Sequence, residues 1–366
     1  MDDSFTDIAL QYFEKVSPQN NIVIKFGGQK FKKFNGQCFY LNKKEELLYT
    51  IQNLTYDLIV LHALNGIWFN IIENKPEHLK VVWIGWGYDY YDLFSQNILL
   101  EKTDQCVNAS DMHQNLIRYI YAKTLKPLIT NYRIHKKRNV IRQIDYFAPV
   151  LEEEYGLFEK ALPNQKIPEY IGFNYGVLEN DLVKGFENRI ISGNDILLGN
   201  SSSATCNHIE ALELLSVIDL QNKTVICPLS YGDVKYQKKI CAIGKQNLQS
   251  NFKPLLDLLP IEEYISTVLS CGNVIMNHVR QQAVGNIVLM LYLGAKVFLR
   301  QENPVYQFLK QNNFIVYLID DIKNNPMILD KRLSQEDIEK NRSKLRQFWS
   351  EDVIMNKTRN IISLAE

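Results

Sequence analysis

The segment Asn273–Asn303, NVIMNHVRQQAVGNIVLMLYLGAKVFLRQEN, constrains the fold more than any other part of the chain. Asn273–Met276 reads as a short strand, His278–Gly285 as a polar loop closed by glycine, Asn286–Leu293 as a helix and Lys296–Leu299 as the next strand. Two buried strands joined by a helix make a βαβ unit. Its loop is chemically loaded. Glycine lets backbone approach a ligand, a helix start presents unpaired N–H groups, and Arg280 adds a cation, so the loop suits a diphosphate. An ordinary βα turn explains the same residues equally well.

The chain has 366 residues, 46% of them apolar, enough for two domains with separate cores. The 41 basic and 41 acidic residues balance, which argues against a nucleic-acid binder. Six cysteines (Cys38, Cys106, Cys206, Cys227, Cys241, Cys271) form no CxxC, so neither a zinc site nor a disulfide scaffold is expected, and a reducing cytoplasm fits. The first residues, MDDSFTDIALQYFEKV, are acidic and amphipathic, unlike a signal peptide. The longest apolar run, Ile287–Leu293, falls far short of the roughly 20 residues a membrane span needs.

Strand-like and helical stretches alternate in both halves. In the first, Ile22–Phe26, Cys38–Leu41, Leu58–Leu61 and Val81–Ile84 read as strands, with a helix from about Gly66 to Glu73. In the second, strands are expected at Ile196–Leu198, Val225–Cys227, Asn273–Met276, Val297–Leu299 and Ile315–Leu318. The later part of Pro163–Asn194 reads as the connection. Residues 1–185 and 186–344 are thus expected to be two Rossmann-like α/β domains facing across a cleft, with a C-terminal helix at about 345–366 packing back on the first. Ligands of open α/β sheets bind at the carboxyl ends of the strands, so the residues just after each strand are the candidates.

After Val81–Ile84 come Gly85, Trp86, Gly87, Tyr88 and Asp89, followed by Tyr90 and Tyr91. Aromatic faces stack on sugar rings and a carboxylate takes a hydroxyl proton, so Asp89 is a candidate general base and the loop a candidate acceptor site. A helix cap is the plainer alternative. His62, closing Leu58–Leu61, is a second candidate base or a structural histidine. In the second half, Gly199, Asn200, Ser201 and Ser202 stand at a helix start where small hydroxylated residues hold an anion or simply cap. Tyr231 follows the next strand, and Glu302 and Asn303 precede Pro304; Glu302 is read as a partner for sugar hydroxyls or as a surface acid. Diphosphate-holding loops in one domain and a carboxylate among aromatics in the other is the division expected of a transferase using a nucleotide-sugar donor.

These residues also carry a family likeness. Trp83-Ile-Gly-Trp-Gly-Tyr-Asp89-Tyr-Tyr91, Ile196-Leu-Leu-Gly-Asn-Ser201, Asn207-His-Ile-Glu-Ala-Leu212, Arg280-Gln-Gln-Ala-Val-Gly285 and Arg300-Gln-Glu-Asn-Pro304 resemble, in order, blocks of the TDP-4-acetamido-4,6-dideoxygalactose (Fuc4NAc) transferases, glycosyltransferase family 56. The resemblance implies a GT-B fold, a TDP-sugar donor held in the C-terminal domain, and a polyprenyl-diphosphate-linked saccharide acceptor of enterobacterial common antigen or O-antigen synthesis. It also implies peripheral attachment to the cytoplasmic face of the bacterial inner membrane. The donor set expected is Gly199, Asn200, Ser201, Ser202, Tyr231, Arg280, Gln281, Gln282, Gly285, Asn286, Glu302 and Asn303; the acceptor set is Gly85, Trp86, Gly87 and Tyr88. The chain departs from the family at Tyr88, usually a small residue, and at Ser201-Ser-Ser-Ala, usually Ser-Gly-Asp.

No DxD or histidine cluster stands in the donor loops, so neither a metal nor another cofactor is expected. Competing readings are a GT-B-like nucleotide-sugar 2-epimerase and a non-catalytic partner in a polysaccharide assembly complex. Between Met112 and Ile144, Arg118, Lys123, Lys126, Arg133, Lys136, Lys137, Arg138 and Arg142 stand without an acid, among Tyr119, Tyr121 and Tyr132. Such a stretch suits an anionic membrane surface or, more plainly, a solvated helix face.

Overall fold

Short apolar runs bounded by turn-forming residues pair in the first half as parallel strands, but in two separate sheets. β1 (Ile22–Phe26) and β2 (Gln37–Leu41) pair only with each other among the described residues, which in this computed structural model are 3–94, 96–112 and 125–365. β3 (Leu58–His62), β4 (Lys80–Ile84), β5 (Tyr146–Ala148) and β6 (Glu169–Tyr170) form a four-stranded parallel sheet in that order. One continuous alternation was expected. The helix expected from Gly66 begins at Phe69, because Asn65 and Gly66 are used in a turn closed by Trp68 N–H on the Asn65 carbonyl.

One face of this sheet is covered by the helix Asp3–Val16, which packs Ala9 and Phe13 with Val82, Ile84, Ala148 and Ile361. Ile361 belongs to the helix Glu351–Ile362. Lys15 and Glu351 add an exposed ion pair at 2.7 Å, worth little beside the apolar burial.

The second half builds a six-stranded parallel sheet from β7 (Ile196–Leu198), β8 (Val225–Pro228), β9 (Phe252–Leu255), β10 (Asn273–Met276), β11 (Lys296–Leu299) and β12 (Tyr317–Leu318). Its spatial order is β12-β11-β10-β7-β8-β9, so the strand that comes first in sequence lies at the centre. This is the doubly wound arrangement, with ligand loops at the carboxyl edge. β10 and β11 are buried at every residue, as strands covered on both faces must be. The intervening helix, Val284–Leu293, is buried from Ile287 through Leu293, which accounts for an apolar run without helical alternation. Gly294 ends it with φ +94° and N–H groups of Gly294 and Ala295 returning to Leu291 and Met290; a Cβ there would meet Ile338 at 2.7 Å.

The chain divides into two compact units, Met1–Ser95 with Leu128–Asp181 and Gln347–Glu366, and Gln96–Pro127 with Leu182–Arg346. Assigning all of 1–185 to the first unit therefore misses an excursion. Its cause is Asn207, held at φ 49° ahead of the helix His208–Ser216: its side chain accepts from Leu100 N–H at 2.9 Å and donates to the Ile98 carbonyl. Glu210 then takes both the N–H and the hydroxyl of Thr103 at 2.8 and 2.6 Å. The six cysteines are free. Among the described residues no helix is long and apolar enough to cross a membrane.

Candidate functional site

At the carboxyl edge of the second unit's sheet, three loops share one hydrogen-bond network. Gly199 leaves β7 at φ +67°, where a Cβ would sit 2.6 Å from His208 Nε2, so the tight exit needs glycine. Asn200 then donates to the Tyr231 hydroxyl at 2.9 Å and accepts from Gln282 Nε2 at 2.9 Å. Gln282 Oε1 in turn accepts from the Thr205 hydroxyl at 2.6 Å. The loops after β7, β8 and β10 are thereby locked together around buried Asn200 and Gln282, a preorganised floor. Ser202 is part of that floor, its hydroxyl donating to the Tyr231 carbonyl at 2.7 Å, and buried Ser201 lies with its Oγ 3.7 Å from Cys206 Sγ.

The helix after β10 starts two residues earlier than its sequence suggests. Ala283 is the cap, in left-handed conformation at φ 58°, and the first helical bond runs from Ile287 N–H to the Ala283 carbonyl. The N–H groups of Val284, Gly285 and Asn286 are the helix's unspent donors, so Gly285 and Asn286 lie inside the first turn. Arg280 stands half-buried beside this start, one guanidinium N–H on the Gln281 carbonyl at 2.7 Å; Gln281 itself is buried. Arg280 carries its charge into the site, adding to the burial that lowers the pKa of His278 and pulling against the burial that raises the Cys206 thiol.

Two expectations for the loop after β11 change. Asn303 is fully buried, donates to the His278 and Arg280 carbonyls at 2.8 and 3.2 Å, and caps the helix Pro304–Gln311 through Val305 N–H. It pins the Arg280 loop in place, with both amide hydrogens spent inside the protein and the side chain closed to solvent. Glu302 is half-exposed but already accepts from Arg300 Nε at 2.6 Å, and Arg300 reaches Asn277 at 3.2 Å. His278, which the sequence reading passed over, is wholly buried with neither ring nitrogen hydrogen-bonded, and desolvation lowers its pKa to about 3. It stays neutral at any physiological pH.

The first unit's carboxyl edge corrects the reading of Asp89. Only 3% exposed, its carboxylate accepts from Leu64 N–H at 2.8 Å, Trp83 Nε1–H at 2.7 Å and Trp86 N–H at 2.7 Å. Burial raises its pKa and those donors oppose the rise. A group so enclosed has no path to a substrate proton; it holds the 85–89 loop in shape. Gly85 is required there, because a Cβ would sit 2.6 Å from the Tyr90 ring, and Gly87 adopts φ 86°. Buried Glu154, unread in the sequence, anchors the same loop by accepting from Tyr90 and Tyr91 hydroxyls at 2.9 and 2.7 Å. Trp86 packs on Tyr175 at 4.5 Å between ring centroids, while Tyr88 stays 48% exposed.

His62 is different. It is partly exposed at the end of β3, its Nδ1 is 2.8 Å from the Tyr175 hydroxyl, and desolvation lowers its pKa to about 4. Tyr175 fixes the ring, and the imidazole is neutral near pH 7, the state a proton acceptor needs.

Comparison with known proteins accords with this arrangement. The family described as 4-alpha-L-fucosyltransferase, glycosyl transferase group 56, matches residues 180–357, just under half of the chain. Among solved structures, a glycosyltransferase from Rickettsia africae is similar with a TM-score of 0.61 at 12% identity over 99% of this chain and 96% of its own. A structure titled as trehalose-6-phosphate from E. coli, bound with UDP-2-fluoro glucose, gives 0.61 at 11% identity over 98% and 95%. The N-terminal domain of a trehalose-6-phosphate phosphatase from Candida albicans gives 0.60 at 10% identity over 100% and 94%. At these identities the structural likeness speaks to fold, which is the GT-B fold. The match over residues 180–357 makes that segment similar to glycosyl transferase group 56, and with the fold it supports a glycosyltransferase.

Proposed function

We propose that the protein transfers a 4-acetamido-4,6-dideoxyhexose, Fuc4NAc or a close relative, from a TDP-sugar to a hydroxyl of a polyprenyl-diphosphate-linked saccharide in bacterial surface polysaccharide synthesis. The observation that carries this reading is the locked floor of Asn200, Tyr231 and Gln282 beside Arg280 and the unspent N–H groups of Val284–Asn286. It has the chemistry of a diphosphate seat and lies in the segment matched by the family. In the transfer, the acceptor oxygen bonds to the anomeric carbon as the bond to the diphosphate breaks. TDP leaves with its added charge on the second unit's Arg280 and helix start, and His62 Nε2, with Nδ1 held on Tyr175, is the first unit's candidate for accepting the hydroxyl proton. Tyr231, 56% exposed, offers its ring to the base or sugar.

A thermal-shift comparison of TDP, UDP and GDP, followed by turnover of His62→Gln, tests the reading. TDP is expected to stabilise most, and His62→Gln to keep TDP affinity while losing roughly 10²-fold or more in turnover. No preference for TDP removes the donor assignment; near-normal turnover removes His62 as the base.

Work on a polyprenyl-linked acceptor also calls for membrane contact. On the helix Leu125–Ile141, Leu128 and Tyr132 are 65% and 69% exposed, and Ile129, Arg133 and Lys136 are exposed with them at helical spacing. Lys137 is not part of this face: it is buried and paired with Asp92 at 2.6 Å. Arg118, Lys123, Tyr119 and Tyr121 lie outside the described residues. The protein is expected to co-sediment with anionic vesicles at low salt. Arg133→Glu with Lys136→Glu should weaken that binding at least tenfold, since each basic residue near the bilayer is worth about 1 kcal/mol. Equal binding by the double variant excludes this face.

A further inference from the structure

The carboxyl edge of the first unit's sheet carries a second group of polar side chains, one that the transfer step leaves unused. Past β6 the side chains keep alternating. Ile171, Phe173 and Tyr175 pack into the apolar core with Val82 and Ile84, which leaves Tyr170, Gly172 and Asn174 at the alternate positions. Tyr170 is 39% exposed, and Gly172 and Asn174 are half-buried. Asn174 Oδ1 accepts from Lys357 Nζ, which comes from the helix Glu351–Ile362. Glu152 and Glu153 stand after β5, at the start of the helix Glu153–Ala161. Burial, and then the charges of these two acids, push the Tyr170 phenol up to about 12. Burial lowers the pKa of Lys357, and Glu152 opposes it. Both carboxylates therefore face the ledge formed by Tyr170, Gly172 and Asn174.

Gly172 lies at the middle of this ledge, and neither backbone nor packing calls for glycine there. Its φ is not left-handed, and a Cβ would make only ordinary contacts, 3.4 Å from the Tyr170 hydroxyl oxygen and 3.5 Å from Lys357 Cε. Gly85, on the same sheet edge, is the contrast, since a Cβ there would sit 2.6 Å from the Tyr90 ring. What the missing side chain of Gly172 provides is bare backbone between a phenol and an ammonium-bearing chain. Hydrogen-bonding capacity is also left over. Glu153 Oε2 is enclosed by protein without a hydrogen-bond partner, and among the described residues no hydrogen bond occupies the Tyr170 hydroxyl. Enclosed polar atoms are nearly always partnered, so an unspent carboxylate oxygen beside an open backbone marks a place where a ligand supplies the donor.

We propose that this ledge holds a neutral sugar ring of the acceptor saccharide, an inference that rests on the transfer reading above. Sugar hydroxyls both donate and accept, so one ring can give hydrogen bonds to Glu152 and Glu153 and take them from Lys357 and Tyr170. Two carboxylates against one ammonium disfavour a sugar acid or a phosphate. The same stretch of chain also sets the candidate proton acceptor. Tyr175, next to Asn174, holds His62 Nδ1 at 2.8 Å, so residues 170–175 position both the ledge and the base. Gly172 keeps the approach of the ring to the backbone clear.

The test is binding of the protein to an array of bacterial surface-polysaccharide fragments, neutral and uronic-acid-bearing, beside Gly172→Ala and Lys357→Met. The wild type is expected to retain neutral fragments, and each variant to weaken that binding about tenfold or more. Thermal unfolding and the shift induced by TDP should stay at wild-type values in Gly172→Ala, which separates a lost subsite from a lost fold. Undiminished retention by either variant overturns the proposal, as does a wild type that retains only acidic fragments or none. Neutral fragments held by a wild type that shows no preference for TDP would remove the donor assignment and leave the ledge standing.

Discussion

Asp89→Asn is expected to destabilise the first unit by roughly 2–4 kcal/mol, while TDP affinity stays at the wild-type value. Leu64 N–H and Trp83 Nε1–H both point at Oδ2, and Trp86 N–H at Oδ1. An asparagine can keep its oxygen toward the first two, but its amide N–H₂ then faces the Trp86 N–H; turned over, it loses two donors instead of one. Either way a buried N–H is left without an acceptor, and the Gly85–Tyr88 loop loses the bond that closes it. Denaturant unfolding and TDP calorimetry on the same preparation measure the two effects. A catalytic base would behave oppositely, since removing its charge spares stability and cuts turnover. Unchanged stability with a turnover loss of about 10²-fold would restore Asp89 as the base.

Asp89 illustrates which parts of the molecule are legible in the sequence. Its position after an apolar run and between glycines marks a strand exit, and that much follows from local pattern. Whether the carboxylate faces solvent depends on Leu64 and Trp83, which reach it from outside the loop. The same division recurs elsewhere. β10, the helix Val284–Leu293 and β11 are written in unbroken apolar runs closed by Gly294, so local chemistry decides them. β5 and β6, three and two residues long, carry too little pattern to register, and β9 contains Pro254, which argues against a strand except at a sheet edge, where it lies. Asn303 looks like a ligand group because it stands at a strand end. Its contacts with His278 and Arg280, over twenty residues away in sequence, make it a pin. Glu154 and Lys137 are likewise explained only by tertiary partners, Tyr90 and Tyr91 for the one and Asp92 for the other.

Arg280→Ala is expected to reduce turnover more than it reduces TDP affinity. If the guanidinium makes a charge-assisted bond to the donor diphosphate, losing it costs about 1.5–3 kcal/mol, or roughly 10- to 150-fold in the dissociation constant. The leaving diphosphate gains charge as the glycosidic bond breaks, so the same bond strengthens toward the transition state and kcat falls by a further factor on the order of ten or more. The side chain donates to the neighbouring Gln281 carbonyl at 2.7 Å, and the loop is held by Asn303 on the Arg280 backbone carbonyl, which alanine retains. The fold should therefore survive the substitution. Arg280→Lys keeps the charge but not the planar fork, and should recover binding better than turnover. Calorimetry with TDP across a salt series separates these terms, because a lost phosphate contact flattens the dependence on ionic strength. Wild-type TDP affinity and salt dependence in folded Arg280→Ala protein would move the diphosphate away from this helix start, leaving the Asn200–Gln282 floor without its proposed ligand.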